Sequence, residues 1–117
     1  MMKGAVIMKI GKLVFEELVN GILDIIPNGI SSIILYGSAA RGTAENDSDI
    51  DIAIMLDRPF TDKENDCLSD FIVEMDLKYD KVFSVIDVDN ENYKKWHNII
   101  PFYRNVEKEG IVLWKAA

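Results

Sequence analysis

At 117 residues and 49% hydrophobic content, the chain has room for one modest core, and no repeat or low-complexity linker suggests a second domain. Its lone cysteine, Cys67, excludes an internal disulfide, and its lone histidine, His97, offers neither a zinc set nor a catalytic triad. The formal net charge of −7 is unevenly spread: residues 45–91 carry fifteen acids against four bases, whereas residues 92–117 carry five bases against two acids, a balance that disfavours a polynucleotide partner.

The N-terminal Met1-Met2-Lys3-Gly4-Ala5-Val6-Ile7-Met8-Lys9 is interrupted by lysine too soon to be a signal peptide or membrane span. Cytoplasm is therefore the expected compartment, and residues 1–8 read as a frayed extension of a single domain over residues 1–117. Ile10, Leu13, Val14, Leu18, Ile22 and Ile25 then recur at helical spacing until Pro27-Asn28-Gly29 breaks the chain, which predicts a first helix from about Lys9 to Ile26. Ser31 to Tyr36 is a short apolar, β-branched run that stops at Gly37, and Ser48 to Leu56 alternates with period two. Both read as strands.

After Arg58-Pro59, Thr61-Asp62-Lys63-Glu64 is a capping box, and Leu68, Phe71, Ile72, Met75 and Tyr79 form the apolar stripe of a long helix crossing the sheet. Cys67 is expected to pack within it. Lys81 to Val88 returns as a third strand, with Asp87 and Asp89 as N-terminal capping groups for a helix beginning near Asn90. Tyr93, Trp96, Ile99, Phe102, Tyr103, Val106 and Trp114 concentrate bulky side chains at the end of the chain. They are expected to close the core against a short last strand rather than to form an exposed binding patch. His97 reads as a surface or helix-end residue.

The chemistry lies between the first two strands. On the second, Asp49, Asp51 and Ala53 share one face and Ile50, Ile52 and Ile54 the other, which sets two carboxylates roughly 7 Å apart along the backbone. Like charges that close repel unless a cation sits between them, and a hard ion such as Mg²⁺ suits two carboxylates together with phosphate oxygens and water. Upstream, Gly37 lets the backbone approach a ligand, Ser38 offers a hydroxyl and an N–H, Arg41 adds a cationic fork for phosphate, and Gly42 turns the chain back. Singly, Gly-Ser is an ordinary strand-end turn and Asp-Ile-Asp an ordinary solvated edge; it is their spacing, ten residues between Ser38 and Asp49, that points to a metal–nucleotide site.

The run G-S-A-A-R-G-T-A-E-N-D-S-D-I-D-I-A-I closely resembles the polymerase-β-like nucleotidyltransferase superfamily and, at this length, its minimal nucleotidyltransferases (MNT). The resemblance extends from about Ile10 to Trp114, because P-F-Y-R-N-V-E-K-E-G-I-V-L-W is similar to the closing helix and strand of that group. It implies an α/β (α+β) fold, a small mixed sheet with helices packed mainly on one face. It further implies Asp49 and Asp51 as catalytic metal ligands for Mg²⁺ in a two-ion scheme, and Gly37, Ser38 and Arg41 as nucleotide-binding residues. A HEPN-domain protein encoded nearby is the implied partner, with AMP moved from ATP to a hydroxyl of that partner in a toxin–antitoxin pair.

Members of the superfamily usually carry a third carboxylate on the next strand. Alignment through V-I-D-V-D puts Ser84 there; Asp87 remains a candidate for that role, as do Glu45 and Asp47 in the loop. Binding can survive loss of the third ligand, and a reduced rate of transfer is as compatible with it as none. The alternative is therefore a catalytically degenerate nucleotide-binding module that restrains a HEPN-type partner by contact alone. Transfer to a small molecule such as an aminoglycoside would need an added pocket that a chain of this length hardly provides.

Overall fold

The computed structural model describes residues 11–41 and 49–117. Expectations for residues 1–8 and for Gly42, Glu45, Asp47 and Ser48 lie outside the described residues. The first helix, α1 (Lys12–Ile25), buries Phe15, Leu18, Val19 and Ile22, one stripe at i, i+3, i+4 and i+7. Leu18 and Ile22 of the expected stripe are buried and Val14 and Ile25 pack against the core, but Leu13, two residues before Phe15 on the far side of the helix, is 76% exposed.

Strand β1 (Ile30–Tyr36) runs directly into the short helix α2 (Gly37–Arg41), and β2 (Ile50–Leu56) lies antiparallel beside β1. Helix α3 (Asp62–Tyr79) then carries the chain to β3 (Phe83–Asp89), which pairs with β2 in parallel. A parallel neighbour requires a crossover of this kind. Helices α4 (Asn90–Trp96) and α5 (Pro101–Glu109) precede β4 (Ile111–Lys115), which is antiparallel to β1, so the mixed sheet has the order β3-β2-β1-β4.

Alternation along the strands divides the core in two. On one face Ile33, Leu35, Ile50, Ile52, Ile54 and Phe83 pack against α1 and α3, the two long helices; Leu68 and Met75 are buried there, with Phe71, Ile72 and Tyr79 against them, as the apolar stripe of α3 predicts. On the other face Ile34, Ala53, Met55 and Val88 meet Val106, Tyr93, Phe102 and Tyr103 from α4 and α5.

Both sequence-read caps form. Thr61 Oγ1 accepts from the Glu64 N–H at 3.1 Å while Glu64 Oε1 accepts from the Thr61 N–H at 2.9 Å. Asp89 Oδ1 accepts from the N–H groups of Glu91 and Asn92 and so caps α4 alone, without Asp87. Cys67 lies in α3 as expected but is exposed rather than packed, because it flanks the buried line of Leu68 and Met75. The late aromatic segment is divided: Tyr93, Phe102, Tyr103 and Trp114 close the two cores, whereas Trp96 and Ile99 are 38% and 66% exposed. His97 is the C-terminal cap of α4, with Nδ1 2.7 Å from Glu107 Oε2. Among the described residues no helix is long and apolar enough to cross a membrane.

Candidate active site

The β1–α2 junction and the start of β2 meet because β1 and β2 are antiparallel: Tyr36, the last residue of β1, pairs with Asp51 near the start of β2. Gly37 follows at once with φ of 73°, in the left-handed region where a Cβ is disfavoured. A Cβ at this position would also collide with Asp51 Oδ2 and stand 3.2 Å from its Cγ. Gly37 is therefore needed twice over, for its backbone angle and for the space that the Asp51 carboxylate occupies. Helix α2 carries Ser38 and Arg41 away from this point, anchored by the buried Ala39.

Asp49 is exposed and immediately precedes β2, whose first N–H, that of Ile50, donates to the Val82 carbonyl at 2.8 Å. Asp51 is half-buried. Burial first, and then the charge of Asp49, push its carboxyl above the ordinary carboxylate range, with Arg41 pulling the other way. The Tyr36 phenol is likewise pushed up, by burial and then by Asp51. Gly37, Asp49, Asp51 and Arg41 thus form one electrostatically connected corner, with Ser38 next to Gly37.

The donor chemistry of this corner fits a divalent cation: two carboxylates, one held against its own solvation and against its neighbour's charge, are relieved by positive charge. Among the described residues no group of three His, Cys, Asp or Glu side chains could hold a metal ion. The β2–β3 register accounts for this. Asp51 pairs with Ser84, and Ile54 pairs with Asp87, so Ser84 shares Asp51's face of the sheet while Asp87 lies on the opposite face beside Phe83 and Val85. There Asp87 lines a groove with Phe60, Asn65, Leu68 and Ser69.

Two neighbours of the corner were not singled out in the sequence. Tyr36 reads only as the last residue of a strand, yet its ring sits edge-on to Phe102 at 5.4 Å and ties the site to α5. Glu109 reads as one more helix charge, yet it accepts a hydrogen bond from Arg41 across 68 positions of sequence.

This fold, with a glycine-serine turn against the Asp51 carboxylate and Asp49 near by, defines a class. Residues 20–117 match the family described as Polymerase beta, Nucleotidyltransferase; the chain belongs to that family and is a nucleotidyltransferase. A relative from Methanocaldococcus jannaschii, named as a protein adenylyltransferase, is 38% identical over 99 residues that span 85% of this chain and 93% of the relative. The fold is shared with a chain from the complex of a tri-AMPylated Shewanella oneidensis HEPN toxin with its MNT antitoxin (TM-score 0.58, 19% identity, 90% of this chain and 72% of that one). It is shared as well with a chain of a toxin–antitoxin structure containing AMP-PNP (TM-score 0.57, 20% identity, 86% and 73%).

Proposed function

We propose that this chain is a Mg²⁺-dependent adenylyltransferase that moves AMP from ATP to a hydroxyl of a protein partner, as the antitoxin of a HEPN/MNT toxin–antitoxin pair in the cytoplasm. The observation that carries the reading is the close seating of the Asp51 carboxylate against Gly37, within reach of the charge of Asp49, which supports a cation site beside a turn that takes phosphate. Asp49 and Asp51 would hold Mg²⁺, which when bound would supply neutralisation of phosphate charge. Gly37 and Ser38 contribute the turn that takes the phosphates, and Arg41 contributes a fork that orients them. The partner's hydroxyl oxygen bonds to the α-phosphorus, the α–β bridging P–O bond breaks, pyrophosphate leaves, and the hydroxyl proton is released.

The name of the M. jannaschii relative supports a protein acceptor, and the HEPN toxin complex of the same fold supports the partner class.

One observation favours a second reading, a degenerate module that restrains the partner by contact alone: Ser84, not a carboxylate, faces Asp51 across the strand pair. The two are separated by incubating the chain with α-labelled ATP, Mg²⁺ and the HEPN-domain protein encoded beside it. Label on the partner, lost in Asp49→Asn/Asp51→Asn, supports transfer; a stable complex that stays unlabelled with every nucleotide replaces the enzyme with the binder.

A further inference from the structure

Arg41 ends α2 and Glu109 ends α5, and Arg41 Nη1 donates to Glu109 Oε2 at 2.9 Å. Both ends are fixed by packing. Ala39 is 1% exposed and Ala40 packs on the core, so the backbone that carries Arg41 is anchored. After Glu109, the Gly110 N–H donates to the Val106 carbonyl at 2.8 Å. A Cβ on Gly110 would collide with that same oxygen and stand 2.6 Å from Ile34 Cγ2, so a glycine lets α5 close tightly on the sheet.

The pair itself is exposed, with 47% of the Arg41 side chain and 31% of that of Glu109 open to solvent. Exposed ion pairs contribute little to stability, so folding alone is a weak account of it. Its clearest physical effect is to remove rotamer freedom from an arginine whose charge already acts on Asp51. Engaging Nη1 leaves a guanidinium, which has five N–H donors in all, able to take phosphate oxygens as well.

We infer that Glu109 is a positioning residue of the nucleotide site: it fixes the Arg41 guanidinium at the end of α2, within electrostatic reach of Asp51, so that a triphosphate meets a fork already oriented. The inference rests on the proposed role of Arg41 in binding phosphate. A side chain ordered in advance does not have to be ordered on binding, which favours affinity. If Glu109 instead competed with phosphate for Arg41, the effect of removing it would have the opposite sign.

The experiment is calorimetric titration of ATP with Mg²⁺ into the wild type, Glu109→Gln, Glu109→Ala, Arg41→Ala and the Arg41→Ala/Glu109→Ala double variant. Glu109→Ala should weaken binding by roughly three- to tenfold, the loss expected from one unfixed side chain, with Glu109→Gln between it and the wild type. In the Arg41→Ala background the Glu109→Ala change should have no further effect, whereas a general structural role would persist there. Ligand-free melting temperatures should stay close to wild type. Unchanged or tighter binding in Glu109→Ala overturns the inference while the proposed function stands, as does an effect that adds to that of Arg41→Ala. Failure of the wild type to bind ATP with Mg²⁺ overturns both.

Discussion

Ser84 stands opposite Asp51 on the parallel neighbouring strand, so a hydroxyl occupies the position from which a third carboxylate would reach the corner formed by Asp49 and Asp51. Ser84→Asp should therefore lower the metal-free melting temperature, because a third negative charge is set beside a carboxyl that burial and Asp49 already push up. With Mg²⁺ the order should reverse, and the affinity for the ion should rise by about tenfold as a further oxygen ligand becomes available. Thermal melts with and without Mg²⁺ read both effects. Asp87→Asn is the paired control: Asp87 faces the groove under α3, so it should leave the Mg²⁺ response unchanged. A lost response in that variant would mean that the register fails to describe the working site.

Asp51 also sets a pH dependence. A carboxyl whose folded pKa lies above its unfolded value binds its proton more tightly when folded, so its charged form opposes folding and the penalty disappears as pH falls through the raised pKa. At neutral pH Asp51→Asn should raise the metal-free melting temperature modestly, since the site is partly open to water. Mg²⁺ with ATP should raise the melting temperature of the wild type, and this gain should be absent in Asp49→Asn/Asp51→Asn. In the wild type the gain should also fade on acidification, starting at a higher pH than for an ordinary aspartate. A gain that survives in the double variant would move the site elsewhere.

Glu64 has the opposite sign. Hydrogen bonds from the Arg58 guanidinium, with Nη1 and Nη2 each at 2.8 Å, and then from the Thr61 N–H lower its pKa to about 2. Its contribution to stability is fully present above the ordinary carboxylate value of 4.5 and is lost as pH falls through about 2. Melting curves of Glu64→Gln and wild type should therefore differ at pH 7 and converge near pH 2. Thr61→Ala, which removes only the helix cap, should cost about 1 kcal/mol at pH 7 without touching ATP binding.

The parts of this molecule legible in the sequence are those fixed by local rules. The capping box at Thr61, the Asp89 cap, the alternation of β2 and the stripe of α3 are each decided within a few residues, and each appears as read. In α1 the stripe through Val14, Leu18, Ile22 and Ile25 was legible but its edge was not, because an apolar Leu13 satisfies periodicity as well as Phe15 does until a sheet chooses between them. At the site, the glycine, serine, arginine and two aspartates are marked by spacing. What was not legible is what tertiary structure brings to them: Glu109 at Arg41, Phe102 at Tyr36, and the β2–β3 register that separates Ser84 from Asp87. The exposure of Trp96 was not legible for the same reason, since hydrophobicity alone does not say which side of a short helix another layer covers.

Gly37→Ala tests the corner most directly because two penalties coincide there. A non-glycine residue at φ of 73° costs on the order of 1–3 kcal/mol in backbone strain, and the added Cβ must displace the Asp51 carboxylate against which it is built. Stability should fall by about that amount in denaturant melts, and the response to Mg²⁺ with ATP should vanish, since relief of the collision moves Asp51 away from Asp49 and the turn. Gly29→Ala is the matching change away from the turn. Gly29 has φ of 94°, and the nearest atoms to its Cβ belong to the Arg58 side chain, with Nε at 2.8 Å, so strain and a contact coincide there too, with no aspartate of the site involved. That variant should lose comparable stability and keep its Mg²⁺–ATP response. Equal loss of response in both would show that the site fails through general destabilisation, and an intact response in Gly37→Ala would show that the placement of Asp51 against this glycine does not govern nucleotide binding.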